Sequence, residues 1–113
     1  MNKKSIKNLI ALANNVRVYV PTTISVNEKF DVERTLSFLS KYFGGAISYK
    51  ALGCWFSPTQ GVLKEKVFIC ESFCNSDQLE DGMEKMVEYC EILKEELKQD
   101  SIAIEVNNVM HLI

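Results

Sequence analysis

Leu79, Met83, Met86, Cys90, Leu93 and Leu97 recur at alternating steps of four and three residues. That spacing marks a helix with one apolar stripe. It predicts a helix over about 77–98, and whatever the rest of the chain forms must cover the stripe. The opposite side carries Glu84, Glu88, Glu91 and Glu95, with Lys85, Lys94 and Lys98 nearby, and reads as solvated. Three heptads could seed a coiled coil, but a core face fits better because the neighbouring segments have the period of strands.

In residues 16–24, Val16, Val18 and Val20 alternate with Arg17 and Tyr19. This is a strand with one apolar face and one face bearing a cation and an aromatic ring. Pro21 limits the strand, and Thr22 to Lys29 read as a polar loop. Val32, Leu36, Leu39 and Phe43 form a second helical stripe, with Asp31 as the expected N-cap and Gly44-Gly45 as the stop. Residues 46–57 and 62–74 read as a β-hairpin around Ser57-Pro58-Thr59-Gln60-Gly61. In its second strand, Val67, Ile69 and Phe73 are expected toward the core. Lys64, Lys66, Phe68, Cys70 and Ser72 are then expected on the open face beside Arg17 and Tyr19. Residues 102–106 form a further strand, Asn107-Asn108 turns the chain, and 109–113 make a short returning strand.

The order predicts an α+β fold: a ferredoxin-like β-α-β-β-α-β antiparallel sheet with two helices on one face. Residues 16–113 form this single domain. Residues 1–15 are an N-terminal extension whose residues 3–13 read as an amphipathic helix, with Ile6, Leu9, Ile10 and Ala13 on one side. Lys7 and Asn8 interrupt its apolar residues, which argues against a signal peptide. No apolar run approaches a membrane span, so the expected location is cytoplasmic.

Charge is uneven. Residues 1–69 hold ten Lys and Arg against four acids, and residues 70–113 hold three Lys against eleven acids. The acidic second half argues against a broad nucleic-acid surface there. The four cysteines, Cys54, Cys70, Cys74 and Cys90, lack C-x-x-C spacing and read as free thiols. His111 is the only histidine, so no second histidine can build a metal site with it, and no metal or cofactor is expected. Nucleophile-elbow, phosphate-loop and zinc-protease motifs are absent.

What remains is a binding constellation. Arg17 and Arg34, the only arginines, offer planar forks, and Lys64 and Lys66 add charge. Tyr19 and Trp55 offer stacking surfaces. Together they suit an anionic, nucleotide-like small molecule held at a sheet face or subunit interface of a homo-oligomer, without catalysis. A protein-interaction or inhibitor module using the acidic helix or the N-terminal helix is an alternative. An enzyme is another, its parts limited to Glu65, Glu71 and a thiol such as Cys70 beside Lys66. Structural pairing of Glu65 with Arg17 or Arg34 competes with that last reading.

The stretches Val18-Tyr19-Val20-Pro21-Thr22-Thr23, Phe43-Gly44-Gly45-Ala46, Gly53-Cys54-Trp55, Leu63-Lys64-Glu65-Lys66-Val67 and Ala103-Ile104-Glu105-Val106 resemble a widespread set of small uncharacterised proteins of bacteria, archaea and mobile elements. The resemblance spans residues 16–113 and implies no activity or site residues. In size and character the chain is also similar to compact viral proteins that sequester nucleotide immune signals, which implies capture rather than chemistry.

Overall fold

The computed structural model describes residues 9–23 and 26–113. Within them run β1 (Asn14–Pro21), α1 (Glu28–Phe43), β2 (Ala46–Ser57), β3 (Gly61–Cys74), α2 (Ser76–Glu96), β4 (Ala103–Val106) and β5 (Val109–Leu112). The five strands form one antiparallel sheet in the order β2-β3-β1-β4-β5. This is the ferredoxin-like arrangement, extended at one edge by β5, which pairs with β4.

Local chemistry explains the element ends. α1 starts at Asn27, whose side chain accepts from the Phe30 N–H at 3.1 Å. The helix therefore opens before Asp31, the expected cap, and takes up the end of the expected loop. Gly44 stops it at φ 99°, a left-handed value glycine tolerates, with its N–H donating to the Ser40 carbonyl. α2 opens with a capping box: the Asn75 side chain accepts from the Gln78 N–H, and the Gln78 side chain accepts from the Asn75 N–H. Asn107 and Asn108, at φ 50° and 68°, make the tight β4–β5 turn. Residues 9–13 are not helical. The N-terminal helix expected over 3–13 fails there, and residues 3–8 lie outside the described residues.

Both helices cover the same face of the sheet. Val16, Val18 and Val20 of β1 and Ile104 of β4 meet Leu39 and Phe43 of α1 and Met86, Cys90 and Leu93 of α2. All are essentially without solvent contact. Burying a side chain the size of Phe43 stabilises by roughly 2–3 kcal/mol. Packing is tight where the helices approach each other. A Cβ built on Gly82 of α2 would lie 2.5 Å from the Phe43 ring.

The sheet pairing corrects one expectation. Val18 stands opposite Cys70, and Tyr19 opposite Ile69. Directly opposed residues point to the same side, so Cys70, Ser72 and Cys74 face the helices. Val67, Ile69 and Phe73 share the open face with Arg17 and Tyr19. Lys64 and Lys66 follow the parity of Cys70 and leave that face. Phe68, opposite Val20, also turns to the helix side and packs against the core, beside the smaller Cys70, Ser72 and Cys74, and the Ser72 hydroxyl donates to the Gly45 carbonyl at 2.7 Å.

Candidate functional site: the open face and the trough at its border

β1 lies between β3 and β4, and its register sets Arg17 opposite both Glu71 and Glu105. The Arg17 Nε–H donates to Glu71, and Nη1 donates to Glu105 Oε2 at 2.5 Å. The Tyr19 hydroxyl donates to Glu105 Oε1 at 2.8 Å. The two carboxylate side chains are 9% and 14% exposed, and that of Arg17 27%. The hydrogen bond to Glu71 raises the Arg17 pKa against the opposing pull of desolvation. Burial, then the bond to Glu105, raises that of the Tyr19 phenol. One guanidinium thus serves two carboxylates, leaving the cluster with one negative charge. Arg17 is not a free fork for an anion.

Beyond Pro21, β1 no longer pairs with β3, so β2 and β3 continue as a two-stranded arm from Leu52↔Lys66 to Ser57↔Gly61. Its base is tied to the end of β1. The Thr22 N–H donates to the Lys66 carbonyl at 2.9 Å, and the Lys66 N–H to Thr23 Oγ1 at 2.8 Å. Beside it runs the turn that ends α2. There the Lys98 N–H donates to the Glu95 carbonyl and the Gln99 N–H to the Lys94 carbonyl, a Schellman ending. Lys98 occupies the left-handed position at φ 53°, where glycine is the usual residue.

Between arm and turn lie two hollows of about 420 and 230 Å³. They share Glu65, Gln99 and Ser101 and together make one trough. Trp55, Leu63, Lys64, Thr23 and Asp100 line the outer part, and Tyr19, Pro21, Gly53, Val67 and Ala103 the inner. Trp55 is 55% exposed and offers an open ring. Gly53 brings β2 backbone to the wall without a side chain. Among the described residues neither Glu65 nor Asp100 has an ion-pair partner.

Tyr19, Trp55 and Lys64 therefore meet at the trough, and Arg17 reaches it only through Glu105 and Tyr19. Lys66 lines a separate 380 Å³ hollow with Lys50 and Glu28. Arg34 lies in the helix layer, bonded to Asp31 at 3.0 Å and to Glu96 of α2 at 2.6 Å. There it pins α1 to α2. Glu65 and Glu71 do share a face, as their six-residue spacing requires, but Arg17 pairs with Glu71 and Glu105 rather than Glu65. The thiol reading fails on burial: Cys70 and Cys90 are pushed up to about 12 by desolvation and stay protonated at neutral pH. His111 lies exposed on edge strand β5.

Sequence reasoning passed over Glu105, Gln99, Asp100 and Ser101. Parity could have found Glu105: Ile102, Ile104 and Val106 alternate with it, so it belongs on the face opposite the core. Nothing local marks the 99–101 turn as a wall of the trough. Among the described residues no group of His, Cys, Asp and Glu could hold a metal ion, and no helix is long and apolar enough to cross a membrane.

No family model matches the chain, and no curated protein matches it. Two solved structures do. One is a phage SAM lyase in complex with S-methyl-5'-thioadenosine, with a TM-score of 0.66, 13% identity, and 93% of this chain and 92% of that chain covered. The other is a phage SAM lyase in its apo state, with a TM-score of 0.63, 13% identity, and 93% and 94% covered. At this identity the likeness establishes a shared fold.

Proposed function

We propose that this chain binds S-adenosylmethionine in the trough and cleaves it to S-methyl-5'-thioadenosine. The observation that carries the proposal is the fold match over nine-tenths of both chains to a phage SAM lyase solved with that thioether. The trough supports it chemically. Trp55 offers a stacking face for adenine, and Gly53 leaves room for a flat ring. S-adenosylmethionine carries a sulfonium and an ammonium, and Glu65 and Asp100 are carboxylates with no ion-pair partner among the described residues. Lys64 at the rim suits the ligand's single carboxylate. The ligand class is therefore nucleoside-like, as the residues suggested, but cationic at its reacting end rather than anionic.

The chemistry asks little of the protein. The bond between sulfur and Cγ breaks with its electron pair going to sulfur, and the thioether leaves neutral, without needing a proton. As that bond breaks, either the fragment's own carboxylate oxygen attacks Cγ from the opposite side and closes a lactone, or a base takes a Cβ proton and the C–H electrons form the Cβ–Cγ double bond. Neither route consumes water or needs a protein thiol. Placement of the flexible methionine chain against Cγ is the main contribution left to the site.

The test is incubation of the purified chain with S-adenosylmethionine, with S-methyl-5'-thioadenosine followed chromatographically and binding followed by calorimetry. Thioether is expected to form, and Glu65→Gln should slow it. Trp55→Ala should weaken binding about 10- to 100-fold, the range for loss of one base–aromatic stack. Binding of both compounds without product would support capture rather than cleavage. Failure to bind either at millimolar concentration would overturn the proposal.

A further inference from the structure

Between the first turns of α1 and the edge strand β2 lies a hollow of about 650 Å³, larger than either part of the trough. Ser48 and Lys50 of β2 and Phe68 of β3 reach it from the helix side of the sheet. Val32, which is buried, and Leu36, which is half-buried, wall it from α1. A second hollow of about 380 Å³ shares Glu28 and Lys50 with it and runs to Leu52 and Lys66 at the base of the arm. From Ser48 to Leu52 the joined cleft follows about 13 Å of strand. Small-molecule sites are clefts of roughly 300–1,000 Å³ with largely apolar walls and a few placed polar groups. The cleft has that size and that character.

Its charges leave one positive over. Lys29 and Glu33, at the rim, pair with each other at 4.0 Å. Lys50 holds its ammonium over the Phe68 ring, 5.7 Å from the centroid. Among the described residues Lys50, Lys66 and Glu28 have no ion-pair partner, although all three line the smaller hollow. Two cations thus stand against one carboxylate, beside a floor of Val32, Leu36 and Phe68. A ligand with one negative charge balances them, and a ligand with two overshoots. Its remainder has to be apolar, because that floor offers a polar group no hydrogen bond in exchange for water.

We propose that this cleft binds a small amphipathic carboxylate, with its head between Lys50 and Lys66 and its alkyl chain laid over Phe68 toward Val32 and Leu36. The lysines hold the head as point charges. The chain supplies most of the affinity, because exposed ion pairs contribute little and each buried methylene contributes more. Lys50, Leu52 and Lys66 project from the side of the sheet opposite to Tyr19 and Trp55. The cleft is therefore separate from the trough, the inference does not rest on S-adenosylmethionine, and its test omits that compound.

Decanoate is the probe, titrated calorimetrically into the ligand-free chain. It should bind at submillimolar concentration, and more tightly than octanoate by about 4-fold for each added methylene. Neutral decanol should bind less tightly than decanoate, and decylammonium less tightly again. Lys50→Glu and Lys66→Glu should each weaken decanoate by about 5- to 10-fold, with circular dichroism unchanged. Lys41→Glu, at an exposed lysine of α1 that lies over Tyr42 and outside the cleft, should leave binding as it is. No decanoate binding at millimolar concentration would overturn the inference. So would decanol binding as tightly as decanoate, octanoate and decanoate binding alike, or an equal loss in Lys41→Glu.

Discussion

Replacing Arg17 with alanine removes the cation between Glu71 and Glu105 and leaves two carboxylates facing each other. Their side chains are 9% and 14% exposed, so water screens them poorly. Breaking a buried pair by removing one partner costs about 3–5 kcal/mol. Arg17 itself is 27% exposed, and the glutamates can swing outward, so about 3 kcal/mol is expected. Unfolding entropy of roughly 2.1 cal/mol/K per residue gives about 0.24 kcal/mol/K for this chain, hence a fall in Tm of about 12 °C. Scanning calorimetry at matched protein concentration reads it, because any self-association makes Tm concentration-dependent. Arg17→Lys keeps the charge but loses the fork, and should recover only part of the loss. A fall below about 3 °C would refute this account of the cluster.

Gly82→Ala would push a methyl into the Phe43 ring and should destabilise by about 1–3 kcal/mol in urea unfolding with little change in m-value. Lys98→Gly would relieve a left-handed lysine and should raise stability by about 0.5–1 kcal/mol in the same assay, while any change in turnover reports on the adjoining 99–101 wall. Thiol titration with an aromatic disulfide at pH 8 should find Cys54 reacting at once. Cys70, Cys74 and Cys90, all buried and all pushed up by desolvation, should react only after denaturant is added.

The parts of this fold that sequence made legible are those fixed within a few residues. The stripe from Leu79 to Leu97 became α2, the valines of β1 became its buried face, Gly44 ended α1 and the two asparagines turned β4 into β5. Each depends on propensity, spacing or a single φ requirement. The Asn27 cap and the loss of helix over residues 9–13 depend on what surrounds them. A short amphipathic segment has too little helical stability of its own to resist its context. The trough lay beyond reach for the same reason. Its walls come from β1, the β2–β3 arm and the turn after α2, which are brought together only by the sheet order.

The misread face of β3 shows where local reasoning stops. Both parities of Leu63-Lys64-Glu65-Lys66-Val67-Phe68-Ile69-Cys70 mix apolar and charged residues, so alternation alone cannot choose, and a slip of one residue inverts every side chain. The choice is made by the neighbours. β1 commits its valines to the helices, and pairing then carries Cys70 and Ser72 to the same side and Glu71 to the side of Arg17. This one decision also reshapes the chemistry. Had Lys64 and Lys66 joined Arg17, the open face would have been a cationic plate for an anion. With Glu71 and Glu105 there instead, Arg17 is spent within the sheet, and Glu65 and Asp100 line the trough with no ion-pair partner among the described residues. A site built that way favours a positively charged group on its ligand. Raising ionic strength should therefore weaken binding of S-adenosylmethionine more than binding of the neutral S-methyl-5'-thioadenosine, a difference calorimetry at low and high salt would read. Equal salt dependence for the two would remove the carboxylates from the account of recognition.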